Sequence, residues 1–442
     1  MSDFQISQSL GRQSIPGRRI VLTTFGSFGD LHPYIAIALE LRARGHEPIL
    51  ATLDMYREKV ESLGLPFRSV RWVTVDAPNA EVMKQAMDLK HGSEFIVRNL
   101  LLPSLENAYA DMLAAAEGAE LFISHPMTFA TRLVAETKSL PWVSSQLAPL
   151  GFFSAYDPPV LAQAPITSML RFVGPFFFRQ VLKVMKLSIY SWTEPYRRLR
   201  SELKLSPTAN PFFGGMDSPY LNLALFSKFL GPAQPDWPTG TITTGFPFFD
   251  HDGDAELEPE LNRFLDAGPP PIVFTLGTAA VMDAGSFYEV SAAAAQRLGQ
   301  RAVLLVGRDL DNRPKRLSKD IITCDYAPFS KIFPRAAVIV HQGGVGTTGQ
   351  AMASGRPMLV MPYSHDQPDN AARLRRLGIA RVISRAKYTE ERATNELGIL
   401  LSDPKYAANA AQVGRRVQQE HGVQTACDAV ENLLKTVPAP RH

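Results

Sequence analysis

The sequence is poor in cysteine, in long apolar runs and in charge of one sign. Two cysteines, Cys324 and Cys427, stand far apart in 442 residues. They form neither a metal pair nor a disulfide framework, so both are expected to be buried thiols. The uncharged stretch Ser139 to Tyr156 is broken by Pro141 and Pro149. A spanning helix needs about 20 mostly apolar residues, so no transmembrane segment is expected. The opening MSDFQISQSLGRQSIPG lacks the apolar core of a secretory signal and reads as a polar leader, which makes the cytoplasm the expected location. A net charge of +3, with no block of like charge, gives no reason to expect nucleic acid or an acidic membrane as partner.

What is present is the composition of an ordinary globular enzyme, 45% hydrophobic and 20% charged. The length suits two domains of roughly 200 residues each. Short β-branched runs at Ile20–Phe25, Glu47–Thr52, Leu121–Ser124 and Trp142–Ser145 alternate with helical stretches, the pattern of a parallel α/β sheet. The series restarts at Ile272–Leu276 and continues through Ala302–Val306, Ala337–His341, Met358–Met361 and Arg381–Ile383. Two doubly wound, Rossmann-like domains are expected: 1–230 and 254–420, joined by a Pro-, Gly- and Asp-rich linker at 231–253. The final helical stretch is a candidate to return to the first domain, with 421–442 as the returning segment.

Residues 150–200 depart from this rhythm and carry Phe152, Phe153, Phe172, Phe176, Phe177 and Phe178 among scattered Arg and Lys. Apolar ligands are held in aromatic-lined clefts, so Phe152, Phe153, Phe176 and Phe177 are expected to wall an acceptor pocket. Plain packing and a membrane-surface patch are the alternatives.

The most informative segment is HQGGVGTTGQAMASGRPMLVMPYSHDQPDNAAR, residues 341–373. It follows a strand and opens a helix, so the backbone N–H groups from Gly343 to Thr348 form an anion site. Gly343, Gly344 and Gly346 let the backbone approach a diphosphate, Thr347 and Thr348 add hydroxyls, and His341 can donate to a phosphate oxygen. Asp366 beside Gln367 suits sugar hydroxyls, since one accepts and the other does both.

This stretch resembles the donor-binding box of the UDP-dependent glycosyltransferases of the GT-B fold, especially the sterol and bacterial natural-product branches. The resemblance implies that His341 and the Gly343–Thr348 turn bind the diphosphate and that Asp366 and Gln367 hold the sugar. FTLGT, residues 274–278, resembles the family's first C-domain strand and turn, which puts Gly277 and Thr278 at phosphate. DYAPFSKIFPRA, residues 325–336, resembles the segment that meets the nucleobase, with Tyr326 or Phe329 as aromatic wall. One departure is clear: where the plant branch carries a ribose-holding Glu, this chain has Gly349, with Gln350 as a substitute candidate. That leaves both UDP and dTDP donors open.

At the other end, TTFGSFGDLHPYIAIALELRARGHEPILAT, residues 23–52, puts Asp30 and His32 near the carboxyl end of the first strand, where such sheets bind ligands. This too is similar to the family, whose plant members have a base His at the position of Asp30; sterol-type and glycopeptide-type members carry Asp. By register on ELFISHPMTFA, His125 takes the place of the residue that orients the base. Asp30 and His125 are therefore the expected catalytic pair, either being able to act as base. A helix N-cap is the alternative role for Asp30. His32 is the expected neighbour of the acceptor, though a structural role is the commoner one for such a His.

Other motifs carry less. Asp309-Leu310-Asp311 has a metal-binding form but lies in a basic loop; DHDGDAE, residues 250–256, lacks the spacing of a calcium loop. No metal and no cofactor are expected, the nucleotide sugar being a co-substrate. The reading is a GT-B glycosyltransferase that inverts configuration, moving a sugar, UDP-glucose being the expected donor, to a hydroxyl of a small apolar acceptor such as a phenolic, flavonoid, terpenoid, sterol or polyketide. The alternatives are a nucleotide-sugar epimerase, a non-catalytic glycan- or nucleotide-binding protein, and a dehydrogenase.

Overall fold

The computed structural model describes residues 16–73, 80–161, 172, 174–249 and 256–437. Most of the polar leader and of the DHDGDAE segment, and the last five residues, lie outside them. Two wholly parallel sheets form the frame. The first has seven strands: β1 (Arg19–Thr23), β2 (Glu47–Thr52), β3 (Phe67–Ser69), β4 (Leu121–Ser124), β5 (Trp142–Gln146), β6 (Leu221–Ala224) and β7 (Thr241–Thr243). Their order is β3-β2-β1-β4-β5-β6-β7. The second has six: β8 (Ile272–Thr275), β9 (Ala302–Leu305), β10 (Ile321–Cys324), β11 (Val338–His341), β12 (Met358–Val360) and β13 (Ala380–Val382), in the order β10-β9-β8-β11-β12-β13.

Helices cover both faces of each sheet, so the central strands are apolar throughout rather than alternating. Ile20, Val21 and Leu22 are all fully buried, as are Val338, Ile339 and Val340. Each sheet reverses its winding once, between β1 and β4 and between β8 and β11. Such a switch point opens a crevice at the carboxyl ends of the strands. Among the described residues no helix is long and apolar enough to cross a membrane.

One expectation is corrected here. The segment 231–253 is not linker throughout: Thr241–Thr243 pairs with β6 and becomes the edge of the first sheet. Its Thr-Ile-Thr run is compatible with a half-covered edge, which the neighbouring prolines and glycines obscured. Phe152, expected on the acceptor wall, is half-buried. It stacks on Trp237 with ring centroids 4.1 Å apart and is absorbed into the apolar cluster around Phe226.

The helix Gly422–Thr436 packs on the first domain, where Ala426, Cys427, Val430 and Leu434 share a core with Ile20, Leu22 and Leu41. Arg44 ties it down through Asp428 at 2.5 Å and Glu431 at 3.0 Å. A second join is ionic: buried Arg373 binds both Asp369, at 2.6 Å, and Asp157 from the first half of the chain. Buried charges persist only when paired in this way.

Candidate active site

The crevice of the first domain is built from the loop after β1. Ser27 caps the helix Phe28–Ala43, its hydroxyl accepting from Gly29 N at 3.2 Å, and Asp30 returns the favour by accepting from Ser27 N at 2.8 Å. This reciprocal box satisfies the free N–H groups at the helix start. It occupies Asp30 Oδ2 alone. Oδ1 lies 3.4 Å from Nε2 of His125, which follows β4 on the neighbouring strand. The other ring nitrogen of His125, Nδ1, accepts from Met127 N at 3.1 Å. In the neutral ring the proton must then sit on Nε2, facing the carboxylate. Tyr56 braces the loop by donating to the Gly26 carbonyl at 2.7 Å. His32, in the first turns of the same helix, lies between the rings of Phe28 and Phe249, at 5.3 and 5.1 Å.

The crevice of the second domain lies after β11. His341 ends that strand fully buried, with Nδ1 accepting from Gly343 N at 3.1 Å. Burial holds the imidazole down to about 3, so it is neutral and its proton is on Nε2. That Nε2 is buried with no partner among the described residues. Gly343 has φ +88°, a conformation that lets the chain turn sharply into the helix Val345–Ser354. Gly344 is its N-cap, Gly346 lies in its first turn, and Thr347 and Thr348 are buried just behind. The hydroxyl of Thr348 is likewise without a partner among the described residues. Gly277, φ +65°, faces this turn, and a side chain there would collide with the Gln342 amide. Thr278 beside it is exposed.

Asp366 and Gln367 begin the helix Gln367–Arg376. Gln367 Oε1 accepts from Tyr363 N at 2.9 Å and Ser364 N at 3.3 Å, which turns the amide NH₂ outward as a donor. Asp366 Oδ2 accepts from Asn370 Nδ2 at 2.7 Å, and the same amide reaches the Gly343 carbonyl at 2.9 Å. Asn370 thus ties this pair to the glycine turn. Burial pushes the Asp366 carboxyl up to about 7, with Asp30 and Asp369 adding repulsion and the Asn370 bond opposing.

Asn370 and Gln342 were missed in the sequence. The i, i+4 spacing of Asp366 and Asn370 on one helix was the available signal for the first; Gln342, buried next to His341, had none. Of the expected nucleobase wall, Tyr326 is 56% exposed and Phe329 stacks on Phe333 at 4.4 Å. Asp309 caps its own turn by accepting from Asp311 N at 3.0 Å. Phe153 lies 4.6 Å from Phe213, while Phe176 and Phe177, on the helix Pro175–Ser188, are 77% and 46% exposed. Phe178, between the same helix and the domain, is fully buried.

The two crevices face each other. A Cβ built on Gly346 would stand 3.5 Å from Gly29 Cα, in ordinary contact, so the two helix starts meet and Asp30 is one residue from the junction. A carboxylate–imidazole pair thus opposes an anion-receptive helix start across a cleft between two Rossmann-like domains, which is the layout of a GT-B transferase.

Known proteins agree. Residues 20–149 match the glycosyltransferase family 28 N-terminal domain, and residues 292–427 match the erythromycin biosynthesis protein CIII-like C-terminal domain. The chain is 31% identical to the O-mycaminosyltylonolide 6-deoxyallosyltransferase of Streptomyces fradiae, over 95% of this chain and 98% of that one. It is 26% identical to the sterol 3-beta-glucosyltransferase of Candida albicans, covering 94% of this chain but only 28% of that longer protein. The fold matches that of the glycotransferase of kitacinnamycin with a TM-score of 0.72 at 21% identity, over 95% and 99% of the two chains. The chain belongs to the GT-B glycosyltransferase family that takes in bacterial natural-product and sterol glycosyltransferases. It is a glycosyltransferase.

Proposed function

We propose that the enzyme transfers a hexose from a nucleoside-diphosphate sugar to a hydroxyl of a small apolar acceptor of the polyketide or sterol kind, in one inverting displacement. The observation that carries this reading is the 3.4 Å contact of Asp30 with His125 at the point where the two helix starts meet. Both nitrogens of His125 are engaged, one by Met127 N and one by Asp30, so His125 has no lone pair left for an acceptor. Asp30 keeps acceptor capacity on Oδ1. Asp30 is therefore the base that removes the acceptor proton as its oxygen attacks the anomeric carbon, and His125 holds that carboxylate in line.

The departing diphosphate gains charge as the glycosidic bond breaks. The unpartnered His341 Nε2–H and the N–H groups around Gly344 and Gly346 supply fixed donors for it, so no metal ion is needed in this scheme. The Asp366 carboxylate and the Gln367 NH₂ group would hold sugar hydroxyls, with Tyr326 or Phe329 against the base. The first domain takes the acceptor and the second the donor. The relatives' names, one a deoxyallosyltransferase acting on a tylonolide and one a sterol glucosyltransferase, support an apolar alcohol as acceptor.

UDP-glucose is the first donor to try, but one observation favours dTDP sugars. A Cβ on Gly349 would stand 2.9 Å from the Phe246 ring, so the place of a ribose-holding carboxylate is filled by an aromatic side chain. A deoxyribose has no 2′-hydroxyl to be held there. The test is incubation with UDP- or dTDP-glucose and a panel of macrolides, sterols and phenols, read by mass spectrometry for acceptor plus hexose. Donor epimerised with no acceptor modified would overturn the transfer reading.

A further inference from the structure

His365 precedes the sugar pair and is one of four non-glycine residues with positive φ among those described, at +57°. Non-glycine residues are uncommon in this left-handed region, His being among the better tolerated, and surrounding contacts help hold them there. Here those contacts come from the opposite domain. Between β3 and β4 the chain forms a strap containing the helices Ala80–Ala86 and Gly92–Phe95. The strap does not stay on its own sheet. Met87 is buried in the core of the second domain beside Ile272, Phe274 and Tyr363, and accepts from Ser364 Oγ at 3.7 Å. Ser93 Oγ lies 3.0 Å from His365 Nδ1, and the Ala86 carbonyl also bonds the ring.

These contacts converge on one short loop. Tyr363 and Ser364 give their N–H groups to Gln367 Oε1, so the residues held by the strap also fix the orientation of the Gln367 amide. His365 stands between them and Asp366. Burial keeps the ring below the usual histidine range, in the neutral state suited to exchanging hydrogen bonds with a hydroxyl and a carbonyl.

We propose that His365 is a positioning residue: through Ser93 and Ala86 it docks the first-domain strap onto the loop that presents Asp366 and Gln367, so the sugar-holding pair is in place only when the two domains are joined. The proposal rests on the reading that Asp366 and Gln367 hold the donor sugar. It assigns to the strap a part in donor specificity although the strap belongs to the acceptor-side domain.

His365→Gly tests it without adding backbone strain, since glycine accepts φ +57°, and His365→Asn keeps both tolerance of that φ and a short polar group. Two readouts separate the two claims. In the free enzyme, amide exchange of residues 80–95 should be faster in His365→Gly and in Ser93→Ala, and near wild type in His365→Asn. In turnover, His365→Gly should raise the donor KM about fivefold or more with a smaller change in kcat, and should raise acceptor-free hydrolysis of the donor relative to transfer. The His365→Gly, Ser93→Ala double variant should be little worse than His365→Gly alone, because one contact is removed twice. Unchanged strap exchange together with an unchanged donor KM in His365→Gly overturns the proposal. Changed exchange, with Asp366→Ala and Gln367→Ala leaving the donor KM untouched, overturns instead the reading of the sugar pair.

Discussion

Nε2 of His125 faces Oδ1 of Asp30 at 3.4 Å while Met127 N donates to Nδ1, so a neutral imidazole carries its proton on the side of the carboxylate. Asp30→Asn keeps the shape and the cap but cannot take a proton, and kcat should fall about a hundredfold or more. His125→Ala should cost less, because the capping box still holds Asp30 by its other oxygen. Steady-state kinetics of the two variants check the order; a greater loss in His125→Ala would make the imidazole the base.

His341 offers a second, independent handle. Its removal in His341→Ala should lower kcat at least about tenfold through poorer leaving-group stabilisation. Exhaustive chelation with EDTA should leave turnover nearly intact, and loss that magnesium or manganese restores would sink the metal-free scheme. The same residue makes the fold acid-sensitive. Its folded value of about 3 lies below the unfolded one, so the unfolded chain binds the extra proton and stability falls as pH drops from about 6.5 toward 3. His341→Gln should show a shallower decline of Tm over that window.

For Asp366 the sign is reversed. A carboxyl raised to about 7 in the fold binds its proton more tightly there than in the unfolded chain, so its contribution to stability is lost as pH rises from about 4 through 7. Donor binding runs the other way, since the ionised form is the better acceptor for a sugar hydroxyl. The donor KM should rise on the acid side of pH 7 in wild type and lose that dependence in Asp366→Asn. An identical pH profile in both would remove Asp366 from the sugar site.

Nucleotide choice should respond to Gly349 and Phe246 together. Gly349→Ala pushes a methyl into the Phe246 ring and should cost about 1–3 kcal/mol, recovered in part by Phe246→Ala. Gly349→Glu with Phe246→Ala should move preference from dTDP toward UDP donors. No change in the ratio of the two kcat/KM values would show that the pentose is read elsewhere.

The exposed phenylalanines divide by burial. Phe176→Ala with Phe177→Ala should change the acceptor KM about three- to tenfold, the worth of partial aromatic burial, and leave donor KM alone. Phe178→Ala should instead destabilise the fold by about 3–5 kcal/mol, because that ring is fully buried. Equal losses toward both substrates in the first variant would mean general loosening.

The sequence made the central strands legible because their residues are apolar on both faces, and it made the glycine turn legible because an anion site needs bare backbone. What it hid was chiefly at the edges. Phe67–Ser69, Thr241–Thr243 and Ile321–Cys324 are short outer strands, all three with polar or partly exposed positions, and the inner Leu221–Ala224 is interrupted by Asn222. Pairing across the sheet decides such segments, not local pattern. The stacking of Phe152 on Trp237 was not legible because the two are distant in the chain. The strap escaped notice for the same reason: Ser93 and His365 are 272 residues apart, and nothing near either one announces the other.

The helix Gly422–Thr436 is made late, yet it completes the core of the domain made first. On the ribosome the groove that receives Cys427, Val430 and Leu434 must stay open while the second domain is synthesised, roughly 10–40 s for about 200 residues at about 5–20 residues per second. During that interval the first domain cannot reach its final packing, however well its seven strands have paired. The two halves therefore mature in one closing step, and a nascent chain stalled before Gly422 should be far more open to protease in its first half than the released protein.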